Sequence, residues 1–238
     1  MSTLEGQLAR SLRELGQLSV LDFTLPEMLE RIVVIANDTV KGSRMAGLTL
    51  DVAGVASTAA YTDEKVPDID EAQNGPVGRG PCVDAARHGQ TFMIPSTSDD
   101  ERWKPFSDSC VAHGVQSTVS APIIPRSAKR AALNLYADTV DAFDAGDVEL
   151  VEAFAMQAAL AIENAEAYFS AKQLADQLQI ALDTRVVIEQ AKGLLMAQGR
   201  SGDEAFEVLR KRSQQDNRKL RDIASDVVAE AEERAKTR

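Results

Sequence analysis

Residues 181–224 read ALDTRVVIEQAKGLLMAQGRSGDEAFEVLRKRSQQDNRKLRDIA, and the spacing of their apolar residues decides the fold of this end of the chain. Apolar side chains recur every three or four positions, which is typical of amphipathic helices. We predict that a long helix over residues 147–198 enters this stretch. Two shorter helices follow over residues 203–211 and 219–232, with a loop at residues 213–218. Together these segments predict a small helical bundle.

The long helix predicted at residues 147–198 is interrupted only by Gly193. At a rise of about 1.5 Å per residue, fifty residues span roughly 75 Å. Such a helix either bridges two domains or pairs with a second copy in a coiled coil. A seam of small and apolar residues at three- and four-residue spacing comprises Ala158, Ala161, Ala165, Leu174, Ala175, Leu178 and Ala181. We therefore predict a homodimer built mainly from residues 4–18 and 147–182.

The balance of charge differs between the two parts of the chain. Residues 1–172 hold 14 Lys and Arg against 25 Asp and Glu, whereas residues 173–238 hold 12 of each. Within the neutral part, residues 209–221 carry six cations against the single acid Asp216. A basic run on an acidic chain is either a solvated helix face or a local site for a polyanion.

The first part of the chain mixes helices and strands. Residues 4–18 read as a helix, and a second helix begins at Thr24, which forms a capping box with Glu27. Pro81 opens a short helix that Gly89 closes. Residues 67–80 are rich in Gly, Pro, Asp and Asn and predict a loop. About five strands are predicted, at residues 46–52, 55–61, 92–94, 118–124 and 131–137. The fold class is an α+β sandwich followed by a long helical linker and an all-α bundle.

Composition excludes several classes of protein. Hydrophobic residues make up 44% and charged residues 26% of the 238, which excludes bulk disorder. No apolar run approaches 18 residues, so no membrane span is predicted. The two cysteines, Cys82 and Cys110, are too few for a disulfide scaffold and lack metal-ligand spacing. No catalytic constellation is found, so we predict no enzymatic activity, no metal and no cofactor. Because neither a membrane span nor a disulfide scaffold is predicted, we expect a cytoplasmic protein.

The stretch at residues 181–224 resembles the ANTAR domain, a three-helix RNA-binding module of transcription antiterminators. The matching positions are Ala181-Leu182, Arg185, Ile188-Glu189-Gln190-Ala191-Lys192-Gly193, Leu195-Met196, Ala205-Phe206, Leu209-Arg210, Lys219-Leu220 and Ala224. The resemblance implies that the chain binds RNA hairpin loops in nascent transcripts. It assigns RNA contacts to five residues, namely Arg185, Lys192, Gly193, Lys219 and Arg221.

Three upstream segments resemble GAF sensor domains of the type fused to ANTAR modules. They are Gly78-x-Gly80-Pro81-Cys82-x-Asp84-Ala85, Arg102-Trp103-x-x-Phe106 and Leu133-Asn134-Leu135-Tyr136. The apolar spacing of the first helix predicts a dimerisation helix at residues 1–19. The resemblance implies a GAF sensor at 20–168, with an antiparallel sheet flanked by helices, and, at 169–238, an ANTAR domain with its coiled-coil linker. It also implies a pocket for a small ligand, lined by Cys82, Trp103 and Phe106.

The candidate RNA contacts have a simple helical geometry. Arg185 and Lys192 are seven residues apart, two turns, and therefore point the same way. Glu189 is four residues after Arg185 and is placed to pair with it. Gly193 is explained either by close helix packing or by close approach of an RNA backbone. Lys219 and Arg221 open the last helix, where free N–H groups favour phosphate.

Two other functions remain open at this stage. Cys82 follows a Gly-rich turn at a helix start, which can lower the pKa of a thiol. Some GAF-fold enzymes reduce methionine sulfoxide with cysteines around this pocket, so Cys82 is either such a nucleophile or a small buried hydrophobe. In a third interpretation the helical tail binds a protein. The leading prediction is a signal-responsive RNA-binding antiterminator.

Overall fold

The computed structural model describes residues 3–74, 78–124 and 130–236. The chain divides into two compact units, Met1–Phe169 and Ser170–Arg238. The helices of the first unit are α1 Thr3–Gly16, α2 Leu25–Thr39, α3 Lys65–Glu71, α4 Pro81–His88 and α5 Lys104–Ala112. Its strands are β1 Met45–Val52, β2 Val55–Tyr61, β3 Phe92–Ile94, β4 Ser117–Ile123 and β5 Arg130–Ala137. Helix α6, Ala145–Met196, begins in this unit and ends in the second.

The five strands form one antiparallel sheet in the order β2-β1-β5-β4-β3. A two-residue turn, Ala53-Gly54, joins β1 to β2, and both of its residues have positive φ (55° and 85°). Two positive φ values are characteristic of the tight hairpin turn whose twist matches that of the strands. The predicted antiparallel sheet is confirmed.

One face of the sheet packs against α1, α2 and the first part of α6. The predicted capping box of α2 is present, since the backbone N–H of Thr24 donates to Glu27 Oε2 at 2.7 Å. Ile32 and Val33 of α2 are fully buried in this core. Leu15 of α1 is also buried there, with Leu12 and Leu18 packed at its edge. This part of the apolar stripe of α1 is therefore used inside the protomer.

The other face of the sheet packs against α3, α4 and α5. The prediction of a loop over residues 67–80 is wrong at its start, because α3 continues to Glu71. Val66 and Ile69 are fully buried, and this tertiary burial outweighs the local turn composition. Helix α5 buries Phe106 completely on the same side. Helix α4 begins at Pro81 and ends before the left-handed Gly89, as predicted.

The second unit is a bundle of three helical segments, formed by the end of α6 with α7 Gly202–Asp216 and α8 Leu220–Lys236. The expectation that Gly193 interrupts α6 is wrong, because the helix runs through it to Met196. The predicted loop at residues 213–218 is mostly helical as well. Helix α7 continues to Asp216, and Asn217, with a φ of 50°, reverses the chain before α8.

Within the described residues, no helix is long and apolar enough to cross a membrane.

Candidate functional site

The bundle of the second unit is held by small and branched apolar residues. Its core contains Ala191, Leu195, Ala205, Leu209, Ile223 and Ala224. Helix α7 opens with a second capping box, in which Ser201 Oγ accepts from the N–H of Glu204 and Glu204 Oε2 accepts from the N–H of Ser201. Phe206 is not among these core residues, and 39% of it is exposed. The apolar positions of the sequence pattern thus build the scaffold and leave one aromatic ring accessible.

Helix α6 carries two of the predicted RNA contacts, and their electrostatic settings differ. Arg185 is exposed and has no ion pair among the described residues. Lys192 is less accessible, and its Nζ donates to both carboxylate oxygens of Glu189 at 2.9 and 3.0 Å. The predicted pairing of Glu189 with Arg185 is therefore wrong. Glu189 instead holds the cation that follows it by three residues.

The two predicted contacts at the start of α8 also differ. Lys219 immediately precedes the helix and accepts, at its carbonyl, from the N–H groups of Asp222 and Ile223. Its ammonium group is exposed and forms no ion pair with a described residue. Arg221 points to its neighbour Asp222, with Nε 3.3 Å from Oδ1. Lys219 is thus available to a phosphate, whereas Arg221 is partly neutralised.

Most of the remaining cations of the basic run are also paired. Arg210 makes a two-point contact with Glu207, and Arg218 Nη1 lies 2.7 Å from Asp226 Oδ2. Arg212 lies within 4 Å of both Asp216 and Glu230. The sequence pattern missed this compensation because four of the acids lie outside the basic run, namely Glu207, Asp222, Asp226 and Glu230. The four-residue spacing of Asp222, Asp226 and Glu230 was the available signal.

Gly193 faces open space. An added Cβ would meet no heavy atom of a described residue within 4 Å, so close helix packing inside the bundle does not explain this glycine. It lies beside a groove of about 500 Å³ lined by Gln190, Gly193, Leu194, Val228, Ala231, Glu232 and Ala235. A chain or strand from outside the bundle can therefore approach the α6 backbone at this position.

In the first unit, a network of polar side chains is buried between the sheet and α3–α5. Asp70 is its centre: Tyr136 Oη donates to Oδ1 at 2.6 Å, and Thr58 Oγ1 donates to Oδ2 at 2.8 Å. Gln73 Nε2 donates both to Asp70 Oδ1 and to Cys82 Sγ, each at 2.7 Å. Burial raises the pKa of Asp70 above its ordinary value, against the lowering effect of these hydrogen bonds.

The glycines of the Gly-x-Gly-Pro motif permit this network. A Cβ at Gly80 would lie 2.1 Å from Gln73 Oε1, and one at Gly78 would lie 2.1 Å from the Gln73 carbonyl. Any other residue would therefore push Gln73 away from Asp70 and Cys82. The two glycines are therefore required by the position of Gln73, which the sequence alone did not reveal.

Two buried polar atoms on the same sheet face lack partners in the described parts of the chain. They are Asn134 Oδ1 and Thr118 Oγ1, and both residues are essentially inaccessible to solvent. Asn134 uses its Nδ2 to donate to Thr49 Oγ1 at 3.0 Å, which fixes the orientation of its amide. Native proteins satisfy nearly all buried polar atoms, so these two oxygens have unused hydrogen-bonding capacity.

The three predicted pocket residues lie on this side of the sheet, but their surroundings differ. Cys82 and Phe106 are fully buried. Trp103 donates from Nε1 to Asp84 Oδ2 at 2.7 Å and stacks edge-on against Phe92. It also lines an open depression of about 530 Å³ with Ala72, Asn74, Gly78, Arg79, Arg102 and Pro105.

The thiol of Cys82 is in an unfavourable setting for a nucleophile. Burial raises its pKa well above the ordinary value, and the nearby Asp70 charge acts in the same direction. The expected lowering of this pKa by a helix start is therefore wrong. A thiol reacts as its thiolate, which this environment disfavours. Burial raises the pKa of Cys110 too, and the described residues contain no cluster of metal-ligating side chains.

The α+β sandwich of the first unit and the helical bundle of the second define two separate modules. The sequence profile of the GAF domain matches residues 24–163, so the chain belongs to the GAF family. The profile of the ANTAR domain matches residues 176–228. The predicted GAF–ANTAR organisation is confirmed. It supports a sensor-regulated RNA-binding antiterminator and indicates a regulator rather than an enzyme.

Solved structures show the same sandwich at low sequence identity. Free methionine-R-sulfoxide reductase from Neisseria meningitidis has a TM-score of 0.56 and 13% identity, covering 69% of this chain and 91% of that one. The GAF domain of Acinetobacter phosphoenolpyruvate-protein phosphotransferase has a TM-score of 0.53 and 15% identity, covering 70% and 97%. These likenesses show the fold alone. No curated protein sequence matches the chain.

Proposed function

We propose that the second unit binds hairpin loops of nascent transcripts, and that the first unit senses a small ligand and controls this binding. The observation that carries the RNA proposal is the free state of Arg185 and Lys219. Both are exposed, and neither is paired with a described acid. Phosphate neutralisation dominates the affinity of nucleic-acid binding, and uncompensated cations provide it without a competing partner.

Two further features fit the recognition of an unpaired loop. The exposed ring of Phe206 offers a plane on which an unstacked base can stack. The open space at Gly193 allows an RNA strand to approach the α6 backbone at this position. Lys192 and Arg221 are further proposed contacts, although each must first leave its carboxylate partner.

The proposed active species is a homodimer joined through the exposed part of α6. The predicted seam is wrong at Ala158 and Ala165, which are buried within the chain, as is Leu15 of α1. Residues 171–183 of this helix are all exposed, and Leu174 and Leu178 are 57% and 56% accessible. With Ala171 and Ala181 they repeat at alternating three- and four-residue spacing, which is the pattern of a coiled-coil seam. A helix with such a bare apolar stripe is stabilised when a second copy covers it.

The proposed ligand is a small polar molecule that binds the inner face of the sheet. Asn134 Oδ1 and Thr118 Oγ1 are buried and unpartnered among the described residues, and Asp70 is a buried carboxyl group nearby on the same side. A ligand that donates hydrogen bonds would satisfy these groups.

A methionine sulfoxide reductase function is less well supported. It requires an accessible thiolate, whereas Cys82 is fully buried and its thiol pKa is raised. The third interpretation, a protein-binding tail, is the alternative that the RNA experiment distinguishes.

Sequencing of RNA that co-purifies with the full chain is the direct test. We expect paired hairpins with similar loops. For a recovered hairpin, Arg185→Ala and Lys219→Ala should each weaken binding and reduce the slope of log K against log salt by about 0.7 for each phosphate that is no longer neutralised. Lys236→Ala removes the same charge at the far end of α8 and serves as the control. If the full chain binds no hairpin at low salt, the tail is a protein-interaction bundle.

A further inference from the structure

Helix α8 presents a row of carboxylates to the arginines of the basic run. Asp222, Asp226 and Glu230 recur every four residues and therefore share one face of the helix. We call these three residues the acidic stripe. Each of its members lies within ion-pair distance of an arginine: Arg221 on Asp222 at 3.3 Å, Arg218 on Asp226 at 2.7 Å and Arg212 on Glu230 at 3.7 Å.

Hydrogen bonds to the backbone of Arg218 hold this residue in position to contact Asp226. The N–H of Arg218 donates to the carbonyl of Ser213 at 3.1 Å, and Ser213 Oγ donates to the carbonyl of Arg218 at 2.5 Å. The left-handed Asn217 turns the chain so that Arg218 faces α8. The hydrogen bond from Arg218, followed by the charges of Arg218 and Arg212, lowers the pKa of Asp226, so this carboxyl group is ionised at neutral pH.

A guanidinium group binds a carboxylate and a phosphate with the same planar fork of N–H donors. The acidic stripe therefore occupies the arginines with groups of the same charge and geometry that RNA would offer. A phosphate that takes Arg218 must displace Asp226. One that takes Arg212 must displace Glu230.

We infer that the acidic stripe is an intramolecular competitor of RNA phosphate, and that it raises the selectivity of the RNA-binding unit. This inference rests on the proposed RNA function. An arginine gains little when it exchanges its carboxylate partner for a single phosphate. An RNA that presents several phosphates to Arg212, Arg218 and Arg221 together displaces the stripe as a whole. A structured loop can do this, whereas an extended strand meets the arginines one at a time.

The competition also has a defined salt dependence. Added salt screens the attraction between RNA and the arginines, but it screens the arginine–carboxylate pairs at the same time. The two effects partly cancel in the wild type. Removing a carboxylate leaves only the first effect, so the variant should bind more tightly at low salt and lose affinity more steeply as salt rises.

The test compares Asp226→Asn with Asp203→Asn in the full chain. Both substitutions are isosteric and remove one negative charge from the same unit, but Asp203 is exposed in the first turn of α7 and forms no ion pair among the described residues. Exposed ion pairs contribute about 0.2–1 kcal/mol, so we expect Asp226→Asn to tighten hairpin binding about 1.4- to 5-fold at low salt. The affinity for an unstructured oligouridine should rise by a larger factor, because a single phosphate can then contact Arg218 without displacing the Asp226 carboxylate.

A double-mutant cycle separates competition from a general charge effect. In an Arg218→Ala background, Asp226→Asn should give no more gain than Asp203→Asn, since the cation that it would release is absent. Thermal unfolding of each variant by circular dichroism shows whether the bundle is intact.

The outcomes are distinct. The proposal is supported if only Asp226→Asn tightens hairpin binding, if the affinity of this variant falls more steeply with salt, and if Arg218→Ala abolishes the gain. Equal gains from Asp226→Asn and Asp203→Asn, or no gain from either while the wild type binds the hairpin, overturn it and leave the RNA function standing. If folded wild type and variants all fail to bind hairpin RNA, both proposals are wrong.

Discussion

The phenol oxygen of Tyr136 lies 2.6 Å from Oδ1 of Asp70, and both side chains are fully buried. They come from β5 and α3, and no described cation is paired with the Asp70 carboxylate. Thr58 and Gln73 supply its other hydrogen bonds. A buried acid held by neutral donors alone joins the sheet to the helices that cover the proposed ligand site.

The stability of the first unit should depend on the protonation of Asp70. Its pKa in the folded state is above the ordinary 3.8, so its favourable contribution is complete below pH 3.8 and disappears as pH rises through the folded-state value. Asp70→Asn carries no charge at any pH. We expect its free energy of unfolding to increase relative to the wild type as pH rises, measured by urea unfolding at several pH values.

Asp68→Asn is the matched control for that measurement, because Asp68 lies on the exposed side of the same helix. Tyr136→Phe should cost about 1–3 kcal/mol, since it leaves the carboxyl group without one donor. If the free energy of unfolding changes with pH in the same way for the wild type and Asp70→Asn, the raised pKa of Asp70 is contradicted.

Both thiols should resist alkylation in the folded protein. Cys82 and Cys110 are fully buried, and burial raises the pKa of each thiol. We expect almost no iodoacetamide labelling at pH 7.5, and labelling of two thiols per chain after unfolding in urea, as measured by intact mass. Rapid modification of Cys82 in the native protein would revive the redox-enzyme interpretation.

The proposed dimer should depend on the bare seam of α6. Burial of a Leu side chain contributes about 1.5–3 kcal/mol, so Leu174→Glu with Leu178→Glu should convert the dimer to a monomer at micromolar concentration. Light scattering measures the mass directly. Gln173→Glu with Gln177→Glu adds the same charges to exposed positions of the same helix segment and should leave the dimer intact. A wild-type monomer at these concentrations would refute the proposal.

Gly193→Ala separates a structural from a functional role for this glycine. An added Cβ meets no described atom, and Ala is favoured over Gly in a helix by about 1 kcal/mol, so the bundle should become more stable. If RNA approaches the α6 backbone here, the same substitution should weaken hairpin binding. Thermal unfolding and RNA titration together test this. Unchanged RNA affinity in a stabilised protein would remove Gly193 from the proposed contacts.

Local sequence signals are sufficient for much of the fold. They predict the capping box at Thr24, the start of α4 at Pro81 and its end at Gly89, because caps and helix boundaries depend on residues that are neighbours in the chain. The GAF and ANTAR resemblances are confirmed by their profiles for the same reason: each rests on ordered motifs that are readable without coordinates.

Other features depend on contacts between distant residues. Helix α3 escapes a sequence-based prediction, since its turn-like composition is outweighed by the burial of Val66 and Ile69 against elements elsewhere in the chain. The predicted partner of Glu189 is wrong because spacing allows both Arg185 and Lys192, and only the packed helix selects one. The pairing of Arg218 with Asp226 requires the turn at Asn217.

The sequence by itself thus determined the helices and strands that local periodicity and caps specify, the two domain families and the position of the positive charges. Tertiary structure alone decided how those charges are compensated and which polar groups are buried together. The physical reason is that charge and hydrogen-bond capacity are properties of single residues, whereas pairing and desolvation depend on which residues folding brings within a few ångströms of each other.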